Sequence, residues 1–447
     1  MNFSADASSA AELLAGAAVM DLTPAQSVFL YGYPHVARDS TGVHDPLQCA
    51  ALYLRQGEGH ALFLANDLIH MSKRFAAEVR MRIAAETGVP TEAIAITTTH
   101  THSGPVIVDY VSNSADATVP KADPTYLAWA ANQMVAAARA AVEAAQPAQL
   151  GFVVARAEGV GSNRHDPSGP ADPEVPVLVA RAREGGAPIA AMLVYAMHPT
   201  VLHEDSTLIS ADFPYFTRRY LQEHLLGAAC PVLYHNGASG NQSPRHVTRA
   251  NSFAEAQRLG ELLGRAVAEA WPAMTFIDHA CIAVRRREVE LKLRPMPARD
   301  VAELALAEAG ERFARLQREG APRAAVRTAE CDVFGAEETA ELASAARDGR
   351  LEAAARECSP AEIQVIEIGS WKFVCWPGEF FVEYALEVKR HSPDTFVITL
   401  ANGELQAYIV TAEADAKAFY EARNALFAWD NGPCIVDETL ALLRASG

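Results

Sequence analysis

The chain has 447 residues, of which 50% are hydrophobic and 21% are charged. This composition supplies enough apolar material for a large buried core, which excludes a disordered chain or a small scaffold that depends on disulfides. The formal net charge is -17 and no basic cluster offsets it, so we expect no nucleic-acid partner.

The cysteines and the N-terminal sequence predict the cellular compartment of the protein. Its seven cysteines are odd in number, scattered and without a CxxC pair, which is typical of reduced thiols in the cytosol. No basic region precedes the short apolar run 13–20, so the N-terminus is a poor signal peptide. No stretch approaches the roughly 20 apolar residues of a membrane span. We expect a cytoplasmic protein without stable membrane association, and leave open whether it forms a homo-oligomer.

Segments with strand and helix patterns alternate along most of the chain, which predicts an α/β fold with a layered mixed sheet flanked by helices. In chain order the predicted elements are strands 47–54 and 61–65, helix 73–86, strand 93–99, helix 126–145, strands 175–182 and 189–194, helix 213–226, strand 231–234, helix 254–271, and strands 373–376 and 396–400.

Two segments interrupt this alternation. Residues 103–124 contain three prolines and many small polar side chains, and connections of this length are usually lids, binding loops or disordered. Residues 299–356 are helical in pattern and highly charged, which fits either an inserted helical cap or a solvated pair of helices; we favour the solvated pair. No linker divides the chain, so we expect a single large domain with a helical insertion at about 299–356.

Histidines and carboxylates occur where several predicted strands end. His100 and His102 follow the strand 93–99, and a period of two would place both on one face at its C-terminal end. His198 and Glu379 follow two further strands. In open α/β sheets, metal ligands commonly come from the ends of several different strands. The alternative for His100 and His102 is one structural and one surface histidine.

The loop 236–245 is a second candidate element of the site. Its glycines allow close backbone approach, and its Ser and Asn side chains supply groups that can hold a carbonyl or an oxyanion. The alternative is a plain turn, because the loop has neither P-loop spacing nor a GxSxG elbow.

Five motifs, taken in order, resemble the neutral (non-lysosomal, zinc-dependent) ceramidase family, and the resemblance spans about 15–430 with 299–356 unmatched. The motifs are THTHSGP at 99–105, the histidine at 198, GNQSP at 240–244, WPGEF at 376–380, and the paired tyrosines at 408 and 420. The resemblance implies one catalytic domain over 1–447, without the C-terminal immunoglobulin-like domain of the long ceramidases.

The resemblance also implies roles for individual residues. It assigns four zinc ligands, which are His100, His198, Glu379 and Tyr408. It assigns the active-site serine to Ser243, and residues that line the reaction centre to His102, Arg164 and Tyr420. A Zn²⁺ ion in such a site polarises an amide carbonyl and lowers the pKa of bound water. Whether Ser243 is a nucleophile or a substrate binder stays open.

We therefore expect a zinc-dependent hydrolase that acts on linear amide bonds and cleaves the N-acyl bond of a soluble small molecule. The small polar residues 112–118 suit a lid over a compact substrate, and the net charge would repel anionic lipid surfaces. The alternatives are a true ceramidase that hydrolyses N-acylsphingosine, a non-catalytic binding protein on the same fold, and an HxH amidohydrolase barrel, for which no later His and Asp stand at the usual strand ends.

Overall fold

Two β-sheets pack face to face and carry helices on their outer faces in the computed structural model, which describes residues 11–33 and 36–445. Alternation along the strands explains the layers. Phe63 points into the core between the sheets, whereas its neighbours Leu62 and Leu64 pack under helices. Across the same core the Phe63 ring meets the Phe373 ring edge-on, with centroids 5.7 Å apart. The predicted layered α/β fold is confirmed.

The chain builds this architecture from three units of identical topology. In each unit three strands form an antiparallel meander, a helix crosses over, and a fourth strand pairs parallel with the third. The first unit comprises β1 (Leu13–Asp21), β2 (Gln48–Gln56), β3 (Gly59–Asn66), α1 (Lys73–Thr87), β4 (Ile94–Thr98) and the following helix α2 (Pro124–Glu143).

The second unit repeats the pattern and joins the first in one sheet. Its elements are β5 (Gln146–Arg156), β6 (Glu174–Ala182), β7 (Pro188–Tyr195), α3 (Phe213–Leu221), β8 (Val232–Asn236) and α4 (Phe253–Ala270). Strands β1 and β5 pair antiparallel at Leu14 and Pro147, which gives the strand order β8-β7-β6-β5-β1-β2-β3-β4. A short ninth strand, β9 (Thr275–Ile277), pairs with β5.

The third unit forms the second sheet and contains the helical insertion. Its elements are β10 (Ile282–Val289), α5 (Arg299–Arg318), α6 (Arg323–Asp348), α7 (Arg350–Cys358), β11 (Ala361–Ile368), β12 (Trp371–Cys375), α8 (Val382–His391), β13 (Thr395–Ile398), the short helices α9 (Ala412–Ala416) and α10 (Tyr420–Asn424), and α11 (Asn431–Arg444). The insertion therefore lies between the first two strands of this unit.

Most predicted elements are present within a few residues, and five strands were missed. The missed strands are β1, β5, β9, β10 and β11. The run 13–20, which the sequence analysis considered only as a weak signal segment, is most of β1 and pairs with β2 along its whole length. Residues 1–10, on which the argument about a signal peptide also depends, lie outside the described residues. Within the described part of the chain, no helix is long and apolar enough to cross a membrane.

The helical insertion packs against the rest of the protein, so the favoured prediction of a solvated pair of helices was wrong for α6. Arg327 donates to Glu204 at 2.9 Å, and Ser114 donates to Glu341 at 2.6 Å. Helix α5 keeps only Ala302 buried and forms the solvated side of the pair. The segment 103–124 is ordered beneath α6, because Ile107 joins the main core and 111–113 form a helical turn.

Candidate active site

The ends of the third and fourth strands of the three units meet in one region. Thr97 of β4 forms a bridge with Ala401, and the Thr399 backbone amide donates to the carbonyl of Asn236 at 2.8 Å. These contacts bring the segments after β4, β8 and β13 together. The loops after β7 and β12 supply His198 and Glu379 to the same place. The topology thus explains why histidine and glutamate side chains recur at the ends of strands.

His100 and His102 lie in a loop and not on the strand that was predicted to carry them. Strand β4 ends at Thr98, and His100 has a left-handed backbone with φ 69°. This turn, and not the period of two of a strand, brings the two rings together, with 3.3 Å between their Nε2 atoms. The expectation that both side chains meet is confirmed, although its geometric basis was wrong.

Backbone carbonyls determine the tautomers of His100 and His198. The Nδ1 atom of His100 lies 2.7 Å from the carbonyl oxygen of Ile69, and that of His198 lies 2.6 Å from the carbonyl of Ser239. A carbonyl only accepts hydrogen bonds, so both Nδ1 atoms carry the proton. With the proton on Nδ1, the Nε2 atom of each ring faces the site, which is the arrangement that metal-binding histidines adopt.

Glu379 faces both lone pairs. Its Oε2 atom lies 3.0 Å from Nε2 of His198 and 3.2 Å from Nε2 of His100. Burial lowers the pKa of His198 to about 4. A buried carboxylate and two imidazole nitrogens converge here, and a cation between them would relieve the repulsion of their lone pairs.

The donor set fits a metal ion. Ligand atoms of His100, His102 and His198 all lie within 4.8 Å of one another, and Nδ1 of His102 is buried without a hydrogen-bond partner. Burial, with the two neighbouring histidines, lowers the pKa of His102 well below its usual value, so this ring is neutral as well. Neutral imidazoles with one carboxylate are the ligands that zinc prefers.

Tyr408, Arg164 and Tyr420 lie beside this group. The Arg164 guanidinium lies 5.3 Å from the centre of the Tyr408 ring and forms an ion pair with Glu421. The Tyr420 ring centre is 6.5 Å from that of Tyr408, and the Tyr408 ring is 6.4 Å from that of His198. Burial raises the pKa of the Tyr408 phenol, so it is protonated at neutral pH in this environment.

Ser243 is close to the site but its hydroxyl is not among the groups that line the cleft. The hydroxyl accepts a hydrogen bond from the Arg245 backbone amide at 3.3 Å. The loop around it supports the site instead, because the carbonyl of Gln242 lies 3.1 Å from Nδ1 of His198. Gly240 lets this loop approach the segment after β12, since a Cβ atom there would lie 2.8 Å from the Phe380 carbonyl oxygen.

A cleft of about 430 Å³ opens beside the histidines, and several of its walls were not anticipated. His100, His102, Glu379, Tyr408 and Tyr420 line it. The cleft residues that sequence reasoning missed include Tyr31, His70, Tyr110, Asn113, Glu338 and Asn424. The proline-rich composition of 103–124 was a usable signal for Tyr110 and Asn113. The sequence offers no such signal for Glu338, because a buried glutamate in a highly charged helix cannot be told from a solvent-exposed glutamate.

Comparisons with known proteins agree with this architecture. Residues 13–224 match the family described as neutral/alkaline non-lysosomal ceramidase, N-terminal. The fold is similar to that of the neutral ceramidase from Pseudomonas aeruginosa, with 18% identity, a TM-score of 0.73, and coverage of 97% of this chain and 74% of that one. It is also similar to a ceramidase complexed with C2, with 17% identity, a TM-score of 0.74, and coverage of 97% and 76%.

No curated protein sequence gave a match. The two structural similarities, at such low identity, show a shared fold, and the family match over 13–224 adds evidence from the sequence. The resemblance inferred from the motifs is confirmed, because residues 13–224 match the N-terminal domain of the neutral/alkaline non-lysosomal ceramidase family and the fold is similar to that of neutral ceramidase.

Proposed function

We propose that the protein is a zinc-dependent amidohydrolase that cleaves the N-acyl bond of a soluble small molecule. The convergence of the His100 and His198 Nε2 atoms on Glu379 Oε2, with His102 alongside, is the observation that carries this proposal. Every donor in the group is oriented by a backbone contact or by burial, as a preorganised metal site requires.

In this proposal His100, His198, Glu379 and Tyr408 hold the zinc ion. Zinc bound there would polarise the amide carbonyl and lower the pKa of bound water. Arg164 holds the Tyr408 ring in place through its stacking contact and its pairing with Glu421.

The remaining residues transfer protons and orient the substrate. His102, which is neutral and lines the cleft, accepts a proton from the attacking group and returns it to the departing amine. Water is the attacking group in this proposal, and the serine loop orients the substrate.

The lining of the cleft supports a compact substrate. The apolar residues Val106, Ile107 and Val108, which could have formed an acyl groove, are buried and do not line the cleft. Helix α6 contributes a buried glutamate to the cleft wall, which disfavours a long acyl chain there.

A substrate panel tests this proposal. We expect zinc-loaded protein to hydrolyse short-chain N-acyl amides with a higher kcat/KM than a long-chain ceramide in detergent. A ceramide value about ten times that of every soluble amide would instead establish the lipid substrate. Stoichiometric zinc without turnover of any amide would favour the alternative of a non-catalytic binding protein.

A further inference from the structure

Helix α6 of the insertion places a carboxylate in the wall of the cleft. Glu338 is 2% exposed and lines the same cleft as His100 and Glu379. It lies in the segment 299–356, which the family motifs do not cover. The proposed zinc chemistry does not use this side chain, so it needs a separate explanation.

The contacts of Glu338 leave its charge uncompensated. Its Oε1 atom accepts weak hydrogen bonds from the Asn113 amide at 3.4 Å and the Tyr420 hydroxyl at 3.5 Å. Its Oε2 atom is buried and has no hydrogen-bond partner among the described residues. In the same part of the chain no Lys, Arg or His pairs with this carboxylate. Burial raises the pKa of Glu338 to about 7 although the side chains of Asn424, Asn113 and Tyr420 lower it, which reflects the cost of holding a charge without a counter-ion.

Further contacts hold the residues around Glu338 in place. The Tyr31 hydroxyl donates to Oδ1 of Asn113 at 2.6 Å, which turns the Asn113 amide group towards Glu338. Tyr31, Tyr110 and Tyr420 supply aromatic rings to the same cleft. A buried carboxylate with aromatic walls is the chemistry that recognises an organic cation, since the carboxylate pairs with the charge and the ring faces attract it.

We propose that Glu338 is a specificity-determining residue that binds a protonated amine on the substrate. The substrates would then be short N-acyl derivatives of diamines, in which one nitrogen carries the acyl group and the other is an ammonium. This inference rests on the proposed amidohydrolase function. Hydrolysis consumes one water, breaks the amide C–N bond, and releases a carboxylic acid and the free diamine.

A pair of substrates of equal size tests this assignment. N-(4-aminobutyl)acetamide and N-pentylacetamide differ only in a terminal ammonium in place of a methyl group. We expect wild-type protein to favour the ammonium substrate by at least about tenfold in kcat/KM, chiefly through KM. Glu338→Gln should abolish that preference, and the folded variant should keep the zinc content of wild type. Glu352→Gln, an exposed glutamate on α7, is the matched control and should behave as wild type.

Calorimetric titration with 1,4-diaminobutane separates this inference from the proposed function. If neither amide is hydrolysed, but the diamine binds wild type and at least about tenfold more weakly to Glu338→Gln, the proposed function fails and the cation site stands. If both amides are hydrolysed equally well by wild type, the inference is overturned whether or not the variant folds. A preference for the ammonium substrate that persists in Glu338→Gln also overturns it.

Discussion

At the scale of single residues, the site depends on side chains whose orientation is determined by the backbone. His198 illustrates this, because its Nδ1 contacts two carbonyl oxygens of the serine loop while its Nε2 faces Glu379. The burial that keeps the ring neutral also keeps its lone pair available for a metal. The residues of the loop would therefore act on the proposed metal site through His198.

Replacing His198 with Ala should remove bound zinc and turnover together. The change deletes one neutral donor and leaves Glu379 with a single imidazole partner. Metal analysis of the purified variant measures the effect, with His391→Ala, an exposed histidine on α8, as the control. Stoichiometric zinc in His198→Ala would show that the ligand assignment is wrong.

Replacing Ser243 with Ala should lower kcat by about tenfold and leave the zinc content unchanged, because the proposed role of the serine loop is to orient the substrate. Steady-state kinetics on a soluble amide measure the change. A fall of about 10² or more would identify the hydroxyl as a group that acts in the transition state. An unchanged kcat would remove Ser243 from the site.

His235 should make the folded protein sensitive to acid. It is fully buried, its Nδ1 atom contacts the Thr97 hydroxyl at 2.8 Å, and burial lowers its pKa to about 3 from the usual 6.5. Between these values the unfolded chain binds a proton that the folded chain does not, so stability falls as the pH decreases through this range.

The His235→Asn variant isolates this contribution. Between pH 6.5 and pH 5 wild type should lose about 2 kcal/mol more unfolding free energy than the variant, since each pH unit corresponds to about 1.4 kcal/mol. Urea unfolding at the two pH values measures the difference, and the other histidines contribute equally to both proteins. An identical pH dependence would contradict the assignment.

At the scale of elements, the insertion helices hold the segment 103–124 over the cleft. Ser114 donates to Glu341 of α6 at 2.6 Å, and Arg350 of α7 donates to the Ser114 hydroxyl at 2.7 Å. Arg350 also donates to Glu341 at 2.6 Å, which closes a three-membered network. The helices therefore cap the segment that carries Tyr110 and Asn113.

Breaking this network with Glu341→Ala should loosen the segment without unfolding the protein. Ser114 and Arg350 both lose a partner, so we expect amide hydrogen exchange over residues 106–118 to accelerate by about tenfold or more. Exchange measured by mass spectrometry reports this directly, with Glu352→Ala as the control. Unchanged protection of 106–118 would show that core packing alone holds the segment.

At the scale of the whole molecule, three units of one topology place their third and fourth strand ends around a single site. A buried ion pair links two of these units, since Arg218 of α3 donates to both carboxylate oxygens of Asp67 at 2.7 Å. Asp67 follows β3 in the first unit and also accepts from the Gln48 backbone amide at 3.0 Å. The pair thus connects the helix of one unit with the strand end of another.

Removing one partner of this ion pair should be costly. Asp67→Leu would leave the Arg218 guanidinium buried and unpaired, and should destabilise the protein by about 3–5 kcal/mol. The double variant Asp67→Leu, Arg218→Met removes both charges and should recover part of that loss. Urea unfolding of the single and double variants measures both effects. A single variant with wild-type stability would contradict the proposed coupling.

Local sequence patterns were sufficient for the class of fold and for the core of the site. Apolar periodicity is a property of neighbouring residues, so α1, α2 and β2 could be predicted. The histidines and Glu379 could be found because each stands in a short motif at the end of a strand. The strands β5 and β10 were missed because their faces are partly exposed and their apolar residues do not alternate cleanly.

Only the tertiary structure revealed the threefold repetition, because identical topologies can be built from sequences that share no pattern. It also decided that His100 and His102 meet through a left-handed turn, and that Glu338 belongs to the cleft. The sequence determined which groups could perform the chemistry, since side-chain type and local period are encoded there. Which groups face one another depends on contacts between distant segments, such as Glu338 with Asn113, and these exist only after the chain has folded.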